Sequence, residues 1–186
     1  MTVFRIGYAF LFRLLALVLL SMLLMVQPAC AEPNEYQVKA AMIYNMIRFI
    51  DWPEVALQST DRQLMICVAG TGQLASAVDI LQGKEVKGKT ITINQVSPAN
   101  DASGCHVLVL SDLNQYATNS LVKRTRSNGV LTIADSFDFA NSGGVIGFVL
   151  QEGKVRFEIN QTSALRHRIR ISSQLLKLAR IVQETP

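Results

Sequence analysis

LMICVAGTGQLASAVDIL, residues 64–81, sets how the rest of the chain is read. Leu64-Met65-Ile66-Cys67-Val68 is a short unbroken apolar run, the mark of a strand covered on both faces, since alternation disappears when neither side meets water. Gly70-Thr71-Gly72 turns the chain, and Leu74 to Leu81 repeats apolar residues at helical spacing, with Gly83 as its stop. A buried strand, a tight turn and a helix form the unit from which parallel sheets are built.

Working outward, the same grammar recurs. Thr90-Ile91-Thr92-Ile93 alternates as a strand, Ser97 to Gly104 is loop, and Cys105-His106-Val107-Leu108-Val109-Leu110 is a second buried strand. Leu113 to about Ser127 reads as a helix closed by Asn128-Gly129, and Val130-Leu131-Thr132-Ile133 as a third buried strand. This order predicts an α/β fold with a largely parallel sheet flanked by helices. Val145 to Leu150 and Val155 to Ile159, joined across Glu152-Gly153-Lys154, add a C-terminal β-hairpin. Asn160 can cap a short helix, and Ser172 or Ser173 a closing one whose stripe is Leu175, Leu178, Ala179 and Val182. On the other side, Glu35 to about Asp51 is expected to be a helix ended by Pro53. No repeat or Pro/Gly-rich linker interrupts residues 32–186, so one domain is expected there.

The hydrophobic fraction of 49% is raised by the N-terminus, where Arg5 and Arg13 precede LLALVLLSMLLMV and Ala29-Cys30-Ala31 supplies small residues for cleavage. That is the pattern of a secretory signal, expected to be clipped after Ala31. Retention of Cys30 as a lipoprotein start lacks the usual leucine three residues before it, and an uncleaved anchor is interrupted by Arg13. Without residues 1–31 the formal charge of +4 falls to +2, which leaves no electrostatic case for nucleic acid. Cys67 and Cys105 then remain, and an exported protein's two cysteines pair more often than not, with two separate buried thiols as the alternative.

Chemistry-bearing motifs are few. Gly70-Thr71-Gly72-Gln73-Leu74-Ala75 matches a dinucleotide fingerprint in local context, but Asn94 stands where the ribose-binding acid belongs. The competing reading is a tight turn whose glycines supply positive φ. There is no G-x-S-x-G, H-E-x-x-H or C-x-x-C, and no cluster has metal-ligand spacing, so neither catalytic residue nor metal nor cofactor is expected. His106 reads as a satisfied strand histidine. Asp112 and Asp135 each follow a buried strand, where ligands bind in parallel sheets, but capping is the favoured role.

Two polar oddities remain. In AMIYNMIRFIDWPE, residues 41–54, a helix continued at about 100° per residue would put Asn45, Arg48 and Trp52 on one stripe. Such an arginine needs an internal partner, Asp51, Glu54 or the loop below, or else belongs to a pocket or partner surface where Trp52 stacks and arginines hold an anion. Arg166-His167-Arg168-Ile169-Arg170 is either a solvated helix end or a site for an anion or an acidic partner. Asn45, Arg48, Trp52, Arg166, His167 and Arg170 are the candidate ligand- or partner-binding residues.

Glu35-Tyr36-Gln37-Val38-Lys39-Ala40-Ala41 through Phe49-Ile50-Asp51-Trp52-Pro53 resembles the opening of the YfiR family. The resemblance continues at Ile66-Cys67-Val68, Cys105-His106-Val107-Leu108, Gly143-Gly144-Val145-Ile146-Gly147-Phe148 and Val155-Arg156-Phe157-Glu158-Ile159-Asn160, and ends at Ile171-Ser172-Ser173-Gln174-Leu175-Leu176-Lys177-Leu178-Ala179. It implies a periplasmic regulator, not an enzyme, that binds the periplasmic sensor region of a membrane diguanylate cyclase and holds it inactive, lowering cyclic di-GMP and restraining biofilm formation. It also implies that Cys67 and Cys105 form a family disulfide, and that the chain can pair as a homodimer. The second cysteine pair of some members has no counterpart here. A small-ligand-binding module that tunes a membrane partner is the alternative function, and an exported enzyme using Asp112, Asp135 or His106 the third.

Overall fold

The computed structural model describes residues 34–53, 62–99, 102 and 104–183. The chain divides into two compact units, Met1–Glu32 and Pro33–Pro186, and all the described residues belong to the second. The leader expected over residues 1–31 lies outside them.

Helix α1, Glu35–Ile47, is opened by a capping box in which Asn34 accepts from the Gln37 amide and the Gln37 side chain accepts from that of Asn34. β1 (Ile50–Asp51) follows, then β2 (Gln63–Gly70), α2 (Gln73–Val78) running into a 3-10 turn at Asp79–Leu81, β3 (Glu85–Val86), β4 (Lys89–Val96) and β5 (Val107–Ser111). Next come α3 (Gln115–Thr125), β6 (Leu131–Ala134), β7 (Ile146–Gln151), β8 (Lys154–Asn160), α4 (Gln161–Arg166), β9 (Arg170–Ile171), α5 (Ser173–Leu176) and β10 (Arg180–Val182).

Eight strands form one sheet in the order β10-β8-β7-β6-β5-β2-β4-β3, and β1 pairs with β9 in a separate two-stranded ribbon. The pairs β2–β4, β2–β5, β5–β6, β6–β7 and β8–β10 are parallel, whereas β3–β4 and β7–β8 are antiparallel. The expected α/β architecture is therefore present. The unbroken apolar runs have the predicted cause. Ile66, Val68, Val107, Val109, Leu131 and Ile133 face a core built with α1 and α2, while Cys67, Ala69, Leu108, Leu110 and Ala134 face a second core built with Leu121 and Val122 of α3. Both sides of β2, β5 and β6 are dry, so a polar side chain there needs a partner, as Thr132 has in the Val145 amide. The hairpin β7–β8 turns through Glu152 and Gly153, both at positive φ, between the paired residues Gln151 and Lys154.

Three boundaries depart from expectation. α1 stops at Ile47, well before Pro53, because the chain straightens into β1 and pairs with β9, where Ile50 faces Ile171 and Asp51 faces Arg170. The closing helix is a single turn, capped by Ser172 as expected; of the rest of its supposed stripe, Leu178 and Ala179 lie in the turn that follows and Val182 is in β10. β10 takes an edge place beside β8, with Arg180 paired to the buried Glu158. Exposed Leu178 and Ile181 show that no helix face is being buried there.

Candidate functional site

In chain order the central parallel strands are β2, β4, β5, β6 and β7, yet in space β4 lies on one side of β2 and β5 on the other. Loops leaving β2 and β5 therefore diverge to opposite faces, and the crevice between them is where open parallel sheets hold ligands. A cleft of about 390 Å³ sits there, lined by Gly72, Gln73, Ser111, Asp112, Leu113, Asp135, Ser136 and Tyr36.

The glycines of the apparent dinucleotide fingerprint have a local explanation. Gly70 has φ +99°, and a Cβ there would lie 1.8 Å from the Ser111 carbonyl oxygen. A Cβ on Gly72 would meet the Ser111 Oγ at 2.5 Å and the Asp112 Cβ at 2.9 Å. The chain leaving β5 passes directly against those glycines, and the Ser111 hydroxyl accepts from the Ala75 amide at 3.3 Å. The two glycines let one loop cross over another.

Neither aspartate is a helix cap. Asn114 caps α3, accepting from the Ala117 amide, and Asp112 is exposed at φ 55°. Asp135 holds Lys39 at 2.8 Å, and Glu35, one turn earlier on α1, holds the same ammonium at 2.6 Å. Lys39 is 5% exposed, and its ammonium also stands 4.5 Å from the centre of the Tyr36 ring. Burial alone would lower its pKa, but the hydrogen bonds and charges of Asp135 and Glu35 outweigh it and the pKa is raised. This ion pair clips α1 to the end of β6. Outside the lining, Tyr116 on the first turn of α3 and Phe137 after β6 are 85% and 95% exposed. The lysine's role was invisible in the sequence, because 96 residues separate it from Asp135.

The six residues singled out by the sequence divide differently. Asn45 and Arg48 are exposed on α1 and at its C-cap. A cation at a helix C-terminus is favourable in solvent, which answers why so apolar a helix carries one. Trp52 is not on their stripe, because α1 ends before it. Its ring is buried in the core, and its indole Nε1 donates to the His106 carbonyl at 3.0 Å. Of the acids considered for Arg48, Asp51 accepts from Lys87 instead, and Glu54 lies outside the described residues.

Arg166 and Arg170 are exposed while His167 between them is fully buried. Neither ring nitrogen of His167 has a well-formed hydrogen bond. Desolvation is the main cause that lowers its pKa to about 4; the Val130 backbone nearby offsets part of this, and the Arg126 guanidinium adds to it. Arg170 does meet the segment after α1, lying across from Asp51 in the β1–β9 ribbon. It also lines a depression of about 290 Å³ with Ile169, Ile171, Leu165, Ala164, Leu176 and Gln161. The fold thus brings Arg48, Arg166 and Arg170 to the surface and takes Trp52 and His167 inside.

Cys67 and Cys105 are disulfide-bonded, with Cα atoms 5.8 Å apart and both residues buried in the core under α3. His106, next along, is satisfied as expected: its Nδ1 accepts from the Met65 amide at 2.9 Å, which fixes the neutral ring's proton on Nε2. Together they tie β2 to β5 away from the cleft. Among the described residues there is no group of three or more His, Cys, Asp or Glu placed to hold a metal ion, and no helix long and apolar enough to cross a membrane.

A family described as YfiR/HmsC-like matches residues 36–180. No curated protein matches the chain.

Proposed function

This chain belongs to the YfiR/HmsC-like family, and from that premise we propose that it is an exported regulator of cyclic di-GMP signalling that binds and inhibits the periplasmic sensor region of a membrane diguanylate cyclase. The observation that carries the reading is the family match over residues 36–180, which spans the fold from α1 to the start of β10. A regulator of this kind needs surfaces and a stable scaffold. Binding the inactive cyclase more tightly than the active one by a few kcal/mol suffices to silence it. Export follows from the charged, apolar leader over residues 1–31, and the buried Cys67–Cys105 bond suits an oxidising compartment.

Deleting the gene tests the reading directly: cellular cyclic di-GMP and biofilm mass should rise in a strain whose cyclase is intact. An unchanged level would overturn it. Capture of the cyclase from solubilised membranes should fail after reduction, because opening a loop closed over 38 residues removes roughly 4 kcal/mol of stability.

A second reading has its own observation. The depression beside Arg170 combines an apolar floor with a guanidinium at its edge, which suits a small apolar anion such as an aromatic carboxylate. Under it, Arg170 would hold the ligand's anion, with Ile169, Ile171 and Leu176 against its apolar part. A thermal-shift screen with aromatic amino acids separates the two, since a rise in Tm abolished by Arg170→Ala supports ligand control and no rise removes it.

A further inference from the structure

We propose that the cleft at the C-terminal ends of β2, β5 and β6, with its flanking aromatics, is the docking surface for a cationic segment of a partner protein. The inference deepens the regulator reading and rests on it for the existence of a protein partner.

Phe137 is 95% exposed and Tyr116 is 85% exposed. Phe137 stands on the loop leaving β6 and Tyr116 on the first turn of the helix that follows the adjacent parallel strand β5, so they flank the same end of the sheet. Two large aromatic faces in water beside a concave site are area waiting to be covered. Neither ring lines the cleft itself, so the surface is wider than a small molecule would use.

Charge selects the occupant. The loops leaving β2, β5 and β6 at this end contain Asp112, Asp135 and Asp138, and the β7–β8 turn at the same end adds Glu152, Lys154 and, beside it, Arg156, so that with Glu35 and Lys39 five acids stand against three cations in a chain whose formal charge is +4. Of these cations Lys39 is buried and already held by Asp135 and Glu35, while Lys154 and Arg156 line a separate depression with Glu35. Asp112 is exposed at the cleft mouth. Arginine and lysine side chains match this combination, since their stems and cationic heads lie on aromatic faces while a carboxylate takes the charge. At the other end of the chain, residues 161–183 carry five cations and no acid, so a basic partner would be steered away from that surface and towards this one.

The test titrates the purified natural protein with a hexa-arginine peptide, and a hexa-glutamate peptide as control, followed by NMR of the backbone amides. The arginine peptide should shift the amides of residues 112–116 and 135–138 and bind more weakly as salt rises. Tyr116→Ser with Phe137→Ser should weaken binding about tenfold or more, and Asp112→Asn severalfold. Glu85→Gln, an exposed acid on the far edge strand, should leave it unchanged. Equal weakening by Glu85→Gln, or none from the aromatic pair, would overturn the proposal, because binding would then follow overall charge. Membrane capture forms the second arm: a partner held by the natural protein and lost with the aromatic variant supports docking here, and a partner held equally by both overturns it. A dimer lost in the aromatic variant would assign the surface to a second copy and overturn it too. Should the natural protein capture nothing, the regulator reading falls, while the peptide arm still decides whether the cleft takes cations.

Discussion

The two ends of this molecule are built by opposite means. At the acidic end, backbone crosses backbone: the Ser111 carbonyl lies against Gly70, and a buried ion pair fastens α1 to β6. At the basic end, a ribbon of two residues from each strand, β1 and β9, holds Arg170, and His167, at the end of α4, is buried without a well-formed hydrogen bond. A surface fixed by main-chain packing keeps its shape whatever its side chains bind. One supported by a buried, unsatisfied ring depends on that ring's protonation state and on how well its neighbours close over it.

The sharpest way to break the contrast is Gly70→Ala. The added methyl has no room beside the Ser111 carbonyl, and its φ is unfavourable for alanine, so destabilisation of about 4 kcal/mol or more is expected. Urea denaturation would show it as a lowered midpoint, and an unchanged midpoint would mean the loops do not cross as described. For the basic end the corresponding test is pH. His167 has a folded pKa of about 4 against an ordinary 6.5, so the unfolded chain binds more protons between those values. The stabilisation is complete above pH 6.5 and is lost as pH falls to 4, by about 3 kcal/mol. His167→Leu should flatten that slope in denaturation curves taken across the window.

Lys39→Met probes the acidic end again. It leaves Asp135, largely shielded, without its ammonium, and a loss of about 2 kcal/mol is expected. Because the pKa of Lys39 is raised, its contribution is complete below the ordinary value near 10.5 and fades only in strong alkali, so the penalty should be constant from pH 6 to 9. The smallest effect belongs to Trp52→Phe, which removes the bond to the His106 carbonyl while keeping an aromatic in the core, at about 1 kcal/mol. The same carbonyl still accepts from the Leu131 amide, which limits the loss. Tryptophan fluorescence would be lost with it, so calorimetry is the suitable measurement.

How much was legible in the sequence varies with the distance over which each feature is decided. Leu64–Val68, Cys105–Leu110 and Val130–Ile133 announced themselves because a strand buried on both faces is apolar except where a polar residue such as His106 or Thr132 finds a hydrogen-bond partner. Asn160 and Ser172 were readable as caps, since a cap bonds within three residues of itself. The end of α1 was misread because nothing in Arg48-Phe49-Ile50 says that Ser172 will donate to the Phe49 carbonyl and draw the chain into a ribbon. Trp52 was placed on a helical stripe by the same error. For the cleft, Asp112 and Asp135 were noticed by their position after buried strands, but not the lysine that one of them holds.

Determined by the sequence alone are the alternation of buried strands and helices, the hairpin, the caps at Asn160 and Ser172 and the family, the local features following from residues within a turn or a strand of one another. Tertiary structure decided the rest: which end of the sheet is acidic, that His167 lies inside while its arginine neighbours lie outside, and that Lys39 belongs to Asp135. The physical reason is that local periodicity specifies which face of an element is apolar, whereas charge and burial at a given point depend on which distant segment arrives to cover it.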